Sequence, residues 1–118
     1  MATRPIAQRI VNRFAMSNVP PAETGIKGIG IYISPGQCAG KKSRHSARVK
    51  VYRGDKWRGE SIVAIVTVGE VPRVVRGELT GRELKRVSLF ITRNLDVLLR
   101  HWNCELSDRD ALVLLKKV

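Results

Sequence analysis

The chain has 118 residues, 43% of them hydrophobic, and sets 22 Lys and Arg against 10 Asp and Glu for a net charge of +12. This is the length of one domain with apolar content for one core, which excludes a wholly disordered tail. No apolar run approaches the ~20 residues that span a bilayer, and Arg9 and Arg13 interrupt the stretch where a secretory signal would need an apolar core.

Residues 1–18 are expected to form a short helix or arm, because Ile6, Ile10, Val11 and Phe14 recur at helical spacing with Arg9 and Arg13 on another side. Pro20 and Pro21 end it, and a loop follows to residue 28. GIGIYIS, 28–34, reads as a strand stopped by Pro35-Gly36, after which a Gly- and Lys-rich loop runs to residue 46. ARVKVYR, 47–53, alternates, with Ala47, Val49 and Val51 facing the core and Arg48, Lys50 and Tyr52 facing out. SIVAIVTV, 61–68, is a near-continuous apolar run and is expected to be a central strand covered on both faces. Gly69-Glu70 suggests a two-residue hairpin turn into VPRVVRGEL, 71–79, whose Pro72 belongs at an edge or a strand start.

Thr80 and Glu83 have the spacing of a capping box. The helix behind it, 80–104, aligns Leu84, Val87, Ile91, Leu95, Leu98 and Trp102 on one stripe, and Asn103 suits its end. Phe90 and Val97 lie off that stripe and are expected to pack under a last short helix, which starts at Ser107 and carries Leu112 and Leu115. The expected fold is α+β: one domain with an arm or helix (1–27), a small antiparallel sheet of about four strands (28–79) and helices packed on it (80–118).

The charge has an address. Residues 41–58 hold Lys41, Lys42, Arg44, Arg48, Lys50, Arg53, Lys56 and Arg58 against Asp55 alone, a local excess of +7. Arg and Lys meet phosphates, while Tyr52 and Trp57 supply rings on which exposed bases stack. A second candidate is the row Arg82, Arg86, Arg93 and Arg100 on the long helix, opposite its apolar stripe.

Other chemistry is sparse. His45, amid cations that disfavour its protonated form, is a weak candidate for acid–base work; His101 suits a helix C-terminus and Trp102 the core. GQCAGKKS lacks the spacing of a phosphate loop, with Gly36 and Gly40 one residue too close and Lys42 where Ser or Thr belongs. No metal set, cofactor fingerprint or paired carboxylates stand out. Cys38 and Cys104 have no CxxC spacing and are expected to be free thiols in a cytoplasmic protein.

ARVKV at 47–51, GEL at 77–79 and NLDVLLRHW at 94–102 resemble small uncharacterised bacterial domain-of-unknown-function proteins. The resemblance covers residues 47–106 and implies a hairpin followed by a helix ending in L-L-x-x-W. It also implies a setting in mobile-element or toxin–antitoxin-like neighbourhoods. The paired-His strand of many such proteins is replaced here by HSARVKV.

The leading functional expectation is a small nucleic-acid-binding accessory protein of a mobile element or defence system. It would contact phosphates of RNA, DNA or a nucleoprotein complex through 41–58 and the helical Arg row. The alternatives are a protein-binding modulator, such as a phage-type inhibitor or toxin partner docking on an acidic protein, and a metal-independent ribonuclease toxin using His45. No membrane partner is expected, and neither oligomeric state nor sequence preference can be read.

Overall fold

The computed structural model describes residues 17–36, 46–54 and 62–118. The expected N-terminal helix, the loop cations Lys41, Lys42 and Arg44, His45, and the connection with Lys56, Trp57 and Arg58 lie outside the described residues.

The architecture is α+β. Five strands, β1 (Ser17–Val19), β2 (Ile29–Ile33), β3 (Arg48–Arg53), β4 (Ile62–Thr67) and β5 (Val74–Gly77), form an antiparallel sheet in sequence order. A single helical turn, α1 (Pro21–Thr24), links β1 to β2. Three helices follow the sheet: α2 (Gly81–Arg93), α3 (Leu95–Trp102) and α4 (Asp108–Leu114).

One face of the sheet makes the core. Val19, Ile31, Val51 and Ala64 stand abreast across four strands, and all four are buried in one cluster with Val87, Phe90 and Ile91 of α2, Leu98 and Trp102 of α3 and Ala111 of α4. The alternation of ARVKVYR is borne out for Ala47, Val49 and Val51, which are all buried here. Phe90 is fully buried, as its packing role requires.

Four expectations are corrected. The arm or loop at 17–27 contributes β1 and α1, so the sheet has five strands; three residues are too few to show period-2 alternation in a sequence. The hairpin turn after β4 is not two residues long. Pro72 cannot donate to a ladder, so pairing is delayed to Val74, and Thr67 closes a wider turn, its N–H donating to the Arg73 carbonyl and its hydroxyl accepting from the Arg73 N–H. The long helix is two helices broken at Asn94. The expectation of two free thiols also fails, because Cys104 is disulfide-bonded; disulfides are rare in reducing cytosol, so the thiol argument for a cytoplasmic location falls with it.

The break at Asn94 has a clear cause. Its side chain is buried and donates to the Phe90 carbonyl and to the Lys116 carbonyl, both at 2.9 Å, while its Oδ1 accepts from the Lys116 N–H at 2.7 Å. The residue gives up helical continuity to hold the extended segment after α4. Arg93 adds a bond to the Lys117 carbonyl at 2.9 Å, and Val118 N–H donates to Thr24 O at 3.0 Å. A strap thus runs from the helix junction to α1. His101, buried in the last turn of α3, reaches Asp108 at the start of α4 with Nε2 and Oδ1 2.5 Å apart.

Asn94→Ala leaves buried backbone groups of Phe90 and Lys116 without these bonds. The expected loss is about 2–3 kcal/mol of stability in urea denaturation, with Asn94→Asp also destabilised because it cannot donate to either carbonyl.

Candidate nucleic-acid interface

The other face of the sheet is built from the alternate positions: Asn18 on β1, Gly30 and Tyr32 on β2, Arg48, Lys50 and Tyr52 on β3, Ile65 and Thr67 on β4, and Arg76 on β5. It divides into two halves with different chemistry.

The half over β1 and β2 is closed by tyrosine. Tyr52 lies opposite Gly30, and a Cβ at residue 30 would come within 2.0 Å of the Tyr52 ring. Only glycine leaves room for the ring to lie across β2. There it reaches Asn18, donating its hydroxyl to Oδ1 at 2.7 Å, and packs on Tyr32 with ring centroids 5.3 Å apart. Tyr52 is fully buried and Tyr32 nearly so. Burial, and then the neighbouring Tyr52 phenol, push the Tyr32 phenol up to about 12. Burial also raises Tyr52, against a smaller lowering by its bond to Asn18. Tyr52 therefore faces the side expected of it, but its ring does not stand exposed for stacking.

The half over β3, β4 and β5 is open. Lys50 pairs with Ile65, and Ile65 with Arg76, so two cations flank an isoleucine across three strands, about 10 Å apart at the backbone. A bulge makes this possible. Between Ile65 and Val66 the register shifts, so Val74 sits opposite Val66 toward the core while Arg76 stays opposite Ile65 on the outer face. A groove of about 460 Å³ lies here, lined by Lys50, Ile62, Val63, Ala64, Ile65, Arg76 and Gly77. No acid lines it. Arg48, two residues along β3, carries a buried Nε with no hydrogen-bond partner.

Charge segregates between the layers. The five strands hold Arg48, Lys50, Arg53 and Arg76 and no acid. Helices α2 to α4 hold Arg82, Lys85, Arg86, Arg93, Arg100 and Arg109 against Glu83, Asp96, Asp108 and Asp110, a nearly balanced surface.

Three of the expected phosphate contacts are otherwise engaged. Arg53 lies on the core side of the sheet and makes a two-pronged bond to Glu83, with both N···O distances 2.7 Å. Glu83 also completes the capping box with Thr80. The Arg53 bonds and the Thr80 N–H hold the Glu83 carboxyl down to about 2, so the pair stays ionised to low pH and ties α2 to the end of β3. Arg93 is bound to the C-terminal strap, and Arg100 faces Asp96 at 3.7 Å. The Arg row, broken at Asn94, leaves Arg82 and Arg86 at one end, on the layer remote from the groove. Arg76 was missed as a site residue, since a four-residue edge strand with a bulge conceals which way its arginine points.

Among the described residues no group of three His, Cys, Asp or Glu could hold a metal ion, and no helix is long and apolar enough to cross a membrane. No family model, curated protein or solved structure matches this chain.

The chain has only two tyrosines, so their ionisation can be read directly from tyrosinate absorbance. Because both phenols are raised, the folded protein keeps protons that the unfolded chain gives up above about pH 10, and stability falls as pH rises from about 10 toward 12. Alkaline titration should show little tyrosinate until the protein unfolds; full ionisation near pH 10.5 with the fold intact would contradict the buried pair.

Proposed function

We propose that the protein binds nucleic acid through the outer face of its sheet, with Lys50 and Arg76 as its central phosphate contacts. The observation that carries this reading is the cation-flanked groove, with no acid among its described lining residues, on a sheet whose described strands hold every one of their charges as Arg or Lys. In the sequence, Lys41, Lys42 and Arg44 precede β3 and Lys56 and Arg58 follow it, next to the strand that bears Arg48 and Lys50. The reading fits an accessory role in a mobile element or defence system.

A protein-binding role has one observation in its favour. Leu112, Val113 and Leu114 follow one another in exposed positions on α4, an apolar run of the kind that docks partners. Pull-down with and without nuclease treatment separates the two: a partner that survives nuclease and is lost in Val113→Asp supports protein binding.

Nucleic-acid binding should weaken steeply with salt. In anisotropy titrations, Lys50→Gln together with Arg76→Gln should lower the slope of log affinity against log salt by about 1.4–1.8, the value for two lost phosphate contacts. Arg82→Gln with Arg86→Gln should leave the slope within error of the parent. The opposite pattern moves the interface to α2, and absence of binding at low salt removes the function.

A further inference from the structure

We infer that the groove between Lys50 and Arg76 receives an unpaired base, so that the protein selects single-stranded nucleic acid over duplex. This deepens the nucleic-acid reading and rests on it.

The inference comes from what lies between the cations. A site for phosphates alone needs a row of donors, and its floor would be polar. Here the outer-face side chains between the cations are Ile62 and Ile65, both half-buried, on a sheet face where apolar side chains have no described helix against them. Gly77, without a side chain, leaves the β5 side low. The volume, about 460 Å³, lies within the ~300–1,000 Å³ range of small-ligand sites. The matching ligand carries negative charge at its edges and a flat apolar surface between them. Successive nucleotides of a single strand have that form, with phosphates outside and a base free to lie on a protein surface. A duplex does not, because its bases are stacked on one another and its outer surface is phosphate and groove edge. The two tyrosines are committed to each other and to Asn18, so aliphatic side chains must form the platform.

The bulges serve the same arrangement. Between Val51 and Tyr52 of β3 the register against β4 shifts by one extra β4 residue, so that Ile62 rather than Val63 meets Tyr52 on the outer face. In β5 the shift described above keeps Arg76 beside Ile65. Together they set two isoleucines and two cations on one patch.

The test compares fluorescein-labelled oligothymidylate, its duplex with oligoadenylate, and an abasic strand of equal length, by anisotropy with the full chain at matched salt. Single strand is expected to bind about tenfold tighter than the duplex or abasic strand, the gain from burying one side chain's worth of apolar surface. Ile65→Ser should remove that advantage while leaving duplex affinity unchanged. Circular dichroism checks that Ile65→Ser folds; Ile62→Ser, on the same floor, replaces it if it does not. Duplex or abasic binding as tight as single strand overturns the inference and leaves phosphate binding intact. Equal competition by polyglutamate, or serine variants without effect, also overturns it. Failure of all three probes to bind at low salt overturns the nucleic-acid reading itself.

Discussion

The organisation of this molecule turns on one contact, the Tyr52 ring laid across Gly30. A five-stranded sheet with helices on one side has a second face that must be covered or left to solvent. Because residue 30 has no side chain, Tyr52 lies over β2, packs against Tyr32 at a tilt of 43° and bonds to Asn18 on the edge strand. That closes one half of the outer face with aromatic surface from only two residues. Any larger residue at 30 meets the ring at an impossible distance. The other half, over β3 to β5, is left with Lys50, Ile65 and Arg76.

The helical layer is fixed by a separate set of polar ties, each of which absorbs a residue that would otherwise look available. Arg53 and Glu83 join strand to helix, Asn94 and Arg93 join the helix junction to the C-terminal strap, and His101 joins α3 to α4. Apart from the exposed Arg93 bond, these ties are at least partly buried or two-pronged, the geometries in which charged and polar side chains contribute most. Gly36 adds a further restraint: its N–H donates to the Trp102 carbonyl at 3.1 Å, and it lies so close to the indole that no side chain fits. Gly36 is thereby docked against the end of α3.

Much of this was legible from the residues. The alternation in ARVKVYR, the Thr80–Glu83 box and the Ser107 cap are local signals, and each marks its element correctly. The missed features are non-local. Asn94 reads as one more polar residue within a helix until Lys116 is placed beside it, and Tyr52 reads as exposed until Gly30 is set opposite. The Arg row looked continuous because helical periodicity carries no information about a break caused by tertiary bonding. For the candidate site, Arg48 and Lys50 fall on the outer face as their alternation requires. Arg76 was hidden because one extra residue in a short strand reverses which side chains face outward.

Under the proposal, the sheet's open half, and not the helical Arg row, meets the nucleic acid. The most direct measurement is the mapping of amide chemical-shift changes in isotopically labelled protein titrated with an unlabelled single-stranded oligonucleotide. The largest changes are expected on β3, β4 and β5 around Lys50, Ile65 and Arg76, with Arg82 and Arg86 on α2 nearly unmoved. Changes concentrated on α2 with the sheet silent would contradict it.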